Sequence, residues 1–273
     1  MGSQVRPVCL TRRVGGCSRA LLKARARRPA DYLLIDVSNS FTKLAFSSRS
    51  RVERAGKLPT PQLSEKQLRD RLSTRDVTTV VACSVVPRKN ALIKRAAGSR
   101  RVIWLSPSID LGIAIDYPNP KKIGADRLAN AVAVADLYGA PAIVVDFGTA
   151  VTFDIVSEEG AYIGGVIAPG LESMTNFLYQ RTALLPRISL REPTRAIGKT
   201  TEQAMRSGAI HGYRGLVREI LVQIKRERFS KGKVYIVATG GYAGLLAGRI
   251  REIEAIVPQL ALEGLRIVGN LNS

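Results

Sequence analysis

Apolar positions along this chain fall into short runs closed by turn formers, with helical periodicity between several of them. Tyr32 to Ile35 is an apolar run that delivers Asp36. Val37-Ser38-Asn39-Ser40 follows, and Phe41 to Phe46 alternates with the two-residue period of a strand. Glu65 to Leu72 reads as a helix, and Thr79 to Val86 as a buried strand ended by Pro87. Asn90 to Ala97 reads as a helix stopped by Gly98, and Arg101 to Leu105 as a strand carrying the only tryptophan, Trp104. Pro118 and Pro120 hold an extended loop. The Ala-rich run from Ala125 to Tyr138 predicts a helix with Leu128, Val132 and Ala135 on one face, ended by Gly139 and Pro141. Strands alternating with helices favour largely parallel sheets.

The most informative stretch is PAIVVDFGTAVTFDIV, from Pro141 to Val156. The apolar strand Ala142 to Val145 delivers Asp146, a Gly-Thr-Ala turn follows, and a second strand runs from Val151 to Val156. Such a hairpin sets a carboxylate beside backbone N–H groups that no side chain blocks at Gly148, which suits a phosphate-bearing ligand and its metal. An ordinary buried strand closing on a glycine turn has the same pattern. The upstream segment separates these readings. Asp36 matches Asp146 and Thr42 matches Thr152, each pair 110 residues apart, in the same order of strand, acid, small polar turn and strand. Two halves related by duplication and closing on one ligand are expected.

Between the two copies, Gly124-Ala125-Asp126-Arg127 opens the Ala-rich helix. Asp126 is either a cap that complements the helix dipole, worth about 1 kcal/mol, or a base for a bound hydroxyl with Arg127 holding an anionic group beside it. Spacing alone favours the cap. After the central hairpin, Ala161 to Met174 predicts a Gly-Gly turn and a Pro-Gly turn ahead of a helix, with Gly170 as either an anion contact or a loop residue. Thr200 and Gln203 have the spacing of a capping box. The long helix behind them puts Tyr213, Val217, Ile220 and Ile224 on one face, and Gly208, Gly212 and Gly215 imply close packing, a second subunit being one candidate. His211, the only histidine, has no catalytic role in this reading. Val234 to Leu246 predicts a strand, a Thr-Gly-Gly turn and a helix start, where a ring or phosphate approaches the backbone.

With 273 residues, 45% of them apolar, the chain holds two modest domains, expected at 31–139 and 140–273. No apolar run approaches the roughly 18 residues a spanning helix needs. Cys9, Cys17 and Cys83 are odd in number and match no zinc spacing, so a reduced, cytoplasmic setting is expected. The net charge is +20, and residues 1–30 carry eight of the basic residues and no acid. A smaller basic cluster comprises Arg88, Lys89, Lys94, Arg95, Arg100 and Arg101. With aromatics at 5% and no recognised nucleic-acid motif, contact with nucleic acid is expected only through that arm. It reads as a disordered basic tail, a leader or an over-long start of translation, and matches neither a secretory signal nor a myristoylation pattern.

YPNPKKIGADR, DFGTAVTFD and GGVIAPG, in this order and spacing, resemble the type III pantothenate kinase family of the acetate and sugar kinase, heat-shock chaperone and actin superfamily. The resemblance runs from Asp31 to about Ile267. It implies an α/β fold of two duplicated ribonuclease-H-like domains with a cleft between them, and ATP-dependent phosphorylation of pantothenate in a homodimer. It also implies Mg²⁺ and either K⁺ or NH₄⁺ as cofactors. Carried over by position, Asp36, Val37, Ser38, Asn39, Ser40, Phe41, Thr42 and Lys43 form the first phosphate motif, with Asp36 near Mg²⁺. Thr149 contacts ATP, and Asp146 binds the monovalent cation. Tyr117, Gly124, Ala125, Asp126, Arg127 and Thr201 bind pantothenate, with Asp126 as the base. The family's first motif reads Asp-x-Gly-Asn-Thr, and Ser38 stands here in place of its glycine. Ser38 and the basic arm motivate a rival reading, a weakened family member acting as a regulatory or nucleic-acid-associated accessory protein. A superfamily kinase or phosphatase for another metabolite is a third, opposed by the substrate segment.

Overall fold

The computed structural model describes residues 29–229 and 232–273; the basic arm read for residues 1–30 lies outside the described residues except for Pro29 and Ala30. The first sheet holds β1 (Tyr32–Val37), β2 (Phe41–Ser47), β3 (Gly56–Pro59), β4 (Thr79–Ser84) and β5 (Arg101–Trp104), in the order β3-β2-β1-β4-β5. The second holds β6 (Ala114–Ile115), β7 (Ala142–Phe147), β8 (Ala150–Val156), β9 (Ala161–Pro169), β10 (Tyr235–Thr239) and β11 (Ala255–Ile256), in the order β11-β10-β7-β8-β9-β6.

Without β6 the two sheets are the same object. Each is an antiparallel three-strand meander whose first strand pairs in parallel with a fourth, and the fourth with a fifth. The duplicated ribonuclease-H-like arrangement is therefore present in full. The sheets are mixed rather than largely parallel, because tight hairpins can join only antiparallel neighbours.

Two local expectations are corrected. Asp36 and Asp146 are equivalent, but Asp36 lies opposite Lys43 whereas Asp146 lies opposite Thr152. The second hairpin turn is one residue shorter, so Thr152 corresponds to Lys43 rather than Thr42. One residue of slip reverses which face a strand residue occupies. The predicted Gly164-Gly165 turn is instead an interior part of β9, where the register with β8 shifts between Ile155 and Val156. Gly164 takes the left-handed φ of +124° there, and a bulge of this kind favours glycine.

Helices fill three layers around the sheets. α1 (Glu65–Ser73) and α2 (Asn90–Ala97) cover the outer face of the first sheet through Leu68, Leu72 and Ile93. α1 starts in a full capping box between Ser64 and Gln67. α3 (Ala125–Tyr138) and α7 (Leu260–Leu271) lie between the sheets in one core with Leu34 and Val81 from one and Val144 and Val237 from the other. Leu128, Leu262 and Leu265 are fully buried there, each contributing about 1.5–3 kcal/mol of hydrophobic stabilisation. Gly264 lets α7 rest on the Ala129 carbonyl, where any side chain would overlap it. α4 (Leu171–Arg181), α5 (Thr201–Arg228) and α6 (Ala243–Leu246) lie toward the outer face of the second sheet, on Leu171, Tyr213, Val217 and Leu246. Gly208, Gly212 and Gly215 of α5 are exposed and have no close neighbour beyond their own helix among the described residues. Division of the sequence at 139/140 separates the two meanders, while β6 joins the second sheet and α7 packs on β1 and β4 of the first.

Candidate active site

The site is built where the tips of the two equivalent hairpins meet. Ser40 in the β1–β2 tip and Thr149 in the β7–β8 tip share a hydrogen bond between hydroxyls, Oγ to Oγ1, at 2.8 Å. The first tip is held from beneath by Thr60, which is only 1% exposed. Its hydroxyl donates to the Ser38 carbonyl at 2.6 Å and its backbone N–H to the Ser40 carbonyl at 3.0 Å. That hydroxyl's one proton is thereby engaged, so the Thr42 hydroxyl, 3.0 Å away, donates to it.

Ser38 fits this turn without strain, since no described residue other than glycine has a positive φ. Its N–H donates to the Phe41 carbonyl at 3.1 Å and its Oγ to Asp36 Oδ1 at 3.2 Å. The backbone N–H groups of Asn39, Ser40 and Thr149 have no acceptor among the described residues, and free turn amides of this kind bind anions. The side chains of Val37 and Thr42 are fully buried and hold the hairpin, whereas Phe41 is exposed with the Lys57 ammonium 3.7 Å above its ring.

The second tip is seated by neighbouring elements. The Gly170 N–H and Ser173 Oγ both donate to the Thr149 carbonyl, each at 3.1 Å. A side chain at Gly170 would overlap that carbonyl. Its N–H is engaged and its Cα closely packed, so Gly170 is a structural contact rather than an anion site. Gly240, in the Thr-Gly-Gly turn after β10, has φ +95°, and a Cβ there would lie 2.5 Å from Asp146 Oδ1 and 2.6 Å from Phe147 N.

Three acids converge on the tips. Asp36, at the end of β1, has Lys43 Nζ 3.9 Å from Oδ2 and receives the Cys83 thiol at 3.5 Å on Oδ1. Burial, with the Asp36 charge behind it, pushes the Cys83 thiol well up, which keeps it a donor. Asp146, near the end of β7, accepts from Asn130 Nδ2 at 3.3 Å, and burial raises its carboxyl against the pull of Lys43. Asp126 is the second residue of α3 rather than its cap, which is Gly124. Its Oδ1 accepts the Arg127 N–H at 2.9 Å. Burial first, then the charges of Asp36 and Asp146, raise it to about 6. A carboxylate tuned in this way is suited to taking a proton near neutral pH.

Beside the acids lies a half-buried cation. Arg127 Nε donates to Asp154 Oδ1 at 2.6 Å and Nη2 to the Phe153 carbonyl at 3.2 Å, with the guanidinium 5.8 Å from the centre of the Tyr162 ring. Burial raises the Asp154 carboxyl, and the Arg127 guanidinium beside it pulls it back toward the charged form. Burial is the largest single influence on Arg127 and opposes its charge, but Asp154, Tyr162 and Asp126 together hold the guanidinium above its ordinary value. Tyr117 stands over this group, its ring 6.2 Å from that of Tyr162. Thr201, by contrast, opens α5 on the other side of the second sheet and makes no hydrogen bond to the acids.

Asn130, Asp154, Tyr162 and Thr60 were not among the residues picked out by spacing. Asp154 alone had a visible cue, a carboxylate inside the apolar alternation of Val151, Phe153 and Ile155. Asn130 Oδ1 is buried without a partner among the described residues and belongs to the residue that holds Asp146, so the pair fits an oxygen-ligated cation. Among the described residues no three His, Cys, Asp or Glu side chains form a metal cluster. A divalent ion here would therefore complete its shell from phosphates and water, as Mg²⁺ commonly does.

Paired meanders with an acid at each tip, and a third acid on the helix between them, make up the duplicated fold of the actin and sugar-kinase architecture. A solved structure of a conserved Baf family protein from Campylobacter jejuni shares the fold, with a TM-score of 0.55 at 20% identity over 86% of this chain and 96% of that one. The sequence pattern of the type III pantothenate kinase family matches residues 32–223. The type III pantothenate kinase of Methylacidiphilum infernorum is 44% identical over 239 residues, 88% of each chain. That of Akkermansia muciniphila is 47% identical over 247 residues, 88% of this chain and 99% of its own. The chain belongs to the type III pantothenate kinase family.

Proposed function

We propose that the protein transfers the γ-phosphoryl group of ATP to the primary hydroxyl of pantothenate, giving 4'-phosphopantothenate, the first step of coenzyme A biosynthesis. The observation that carries this reading is the meeting of Asp126 with both hairpin acids, at tips joined through Ser40 and Thr149. Asp126 takes the hydroxyl proton as the new O–P bond forms and the bond to ADP breaks. Positioning and charge neutralisation supply most of such a rate. The free amides of Asn39, Ser40 and Thr149, with Lys43, receive the phosphates. Asp36 would hold Mg²⁺, which would offset the charge of the phosphates, and Asp146 with Asn130 Oδ1 would hold K⁺ or NH₄⁺. Tyr117, Gly124, Ala125 and Arg127 take the pantothenate.

Thr201 opens α5 on the outer side of the second sheet, away from the acids, so its part in binding pantothenate calls in this reading for a second copy of the chain, in agreement with the homodimer that the family resemblance implies. The two domains divide at 139/140. No described helix is long and apolar enough to cross a membrane, and the reading places the enzyme in the cytoplasm. Ser38 sits unstrained and bonded to Asp36, which is compatible with an active enzyme; the rival reading is an accessory protein whose nucleotide binding the Ser38 side chain has weakened. Contact with nucleic acid is confined in this reading to the basic residues before Asp31, and a salt-sensitive gel shift that disappears when they are removed tests it.

The deciding experiment measures pantothenate phosphorylation by purified protein with ATP and Mg²⁺, in K⁺ or NH₄⁺ against Na⁺. Turnover dependent on K⁺ or NH₄⁺ is expected. ATP binding without turnover would reassign the substrate, and folded protein that neither binds ATP nor turns over would overturn the reading.

A further inference from the structure

Asp154 lies in β8 between Phe153 and Ile155 and is 0% exposed. A carboxylate this deep is costly unless paired, and replacing a buried ion pair by apolar residues is often neutral or stabilising. The Asp154–Arg127 pair is also poorly closed for a stabilising contact. Asp154 Oδ2 and the Tyr162 hydroxyl are both buried with no hydrogen-bond partner among the described residues, and unsatisfied groups of this kind call for an explanation. The geometry around the guanidinium supplies one. Asp154 takes Nε–H and the Phe153 carbonyl takes one proton of Nη2, leaving Nη1 without a partner among the described residues. Any side chain at Gly165 would collide with Nη2 and the Phe153 carbonyl, so glycine keeps the slot open. One edge of the fork is locked, and the other is free one residue from Asp126.

We propose that Asp154 is a positioning residue for the acceptor substrate: it locks the Nε edge of Arg127 so that the free edge meets an oxygen of the molecule whose hydroxyl faces Asp126. This rests on the function proposed above. Arg has five donors in a rigid fork, so clamping one edge orients the other. Held at one end by a buried anion, the guanidinium reaches the substrate without reorganising.

The test compares wild type, Asp154→Asn, Arg127→Gln and the double variant. Asp154→Asn keeps the volume and an acceptor oxygen but loses the charge. The expected result is a KM for pantothenate raised about tenfold or more, the scale of a lost charged hydrogen bond, with KM for ATP unchanged. Adding Asp154→Asn to Arg127→Gln should then have no further effect. A merely structural Asp154 would shift both KM values together, or add its full effect to Arg127→Gln, and either outcome overturns the proposal. Folded Asp154→Asn with the wild-type KM for pantothenate does the same. Should that variant not fold, the Arg127 Nε–H resonance of the wild type, assigned by its loss in Arg127→Lys, decides. Slow exchange and a shift on adding pantothenate support the proposal, while bulk-rate exchange without a shift overturns it. Wild-type protein that does not phosphorylate pantothenate overturns the function and this inference together, whereas wild-type turnover with an indifferent Asp154→Asn overturns the inference alone.

Discussion

Replacing Asp126 with asparagine should remove the activity and make the fold more stable. The side chain keeps its size, and its oxygen still accepts the Arg127 N–H, but the charge disappears. Folding raises this acid from 3.8 to about 6. A raised acid contributes its stability in full below pH 4 and loses it as pH climbs through about 6, because the folded protein must then ionise a group it would rather keep neutral. The shift of about two pKa units corresponds to at most about 3 kcal/mol at 1.36 per unit. Asp126 is only half-buried, and solvent screening reduces this to about 1–2 kcal/mol. At pH 8 the variant should therefore melt roughly 2–8 °C higher than wild type, at about 2–4 °C per kcal/mol for a chain of this size. The difference should vanish below pH 4. Turnover should fall about 10²–10⁴-fold, the usual contribution of a positioned base, with ATP affinity retained. In the wild type kcat/KM should drop about tenfold per pH unit below pH 6, as expected for an essential base. Scanning calorimetry at the two pH values, ATP titration and initial rates check these points. A variant that is less stable, or that loses ATP binding, would make Asp126 a structural residue and refute this reasoning.

Gly240→Ala should destabilise by roughly 1–3 kcal/mol from backbone strain alone, and more from the added methyl 2.5 Å from Asp146 Oδ1. Urea unfolding measures the loss, and a raised K⁺ requirement reports the displaced acid. Thr60→Val leaves the Ser38 carbonyl and the Thr42 hydroxyl unpaired; a loss of about 1–3 kcal/mol is expected in denaturant, with a raised KM for ATP. Ser38→Gly should cost about 0.5–1 kcal/mol through backbone freedom while turnover survives, since the turn needs no left-handed residue at 38; loss of all activity in steady-state assays would contradict this.

Much of this molecule follows from neighbouring residues. Alternation placed β1, β2 and β7, helix periodicity bounded by Gly98 and Gly139 placed α2 and α3, and the repeated strand–acid–turn pattern announced the duplication. These features depend on side chains a few positions apart, which is the range over which turn chemistry and periodicity act. The same locality explains the errors. Counting 110 residues from Thr42 could not register a hairpin one residue shorter, and two adjacent glycines look like a turn whether or not a bulge absorbs them. Asp126 looked like a cap because its neighbours describe only a helix start. Its raised proton affinity comes from burial and from Asp36 and Asp146, acids delivered by the two sheets. The contacts that make the site, Ser40 with Thr149, Asn130 with Asp146 and Arg127 with Asp154, join residues 16 to 109 positions apart. Only the stacking of two sheets on α3 and α7 brings them together, because a long-range electrostatic environment exists only once the chain has folded around it.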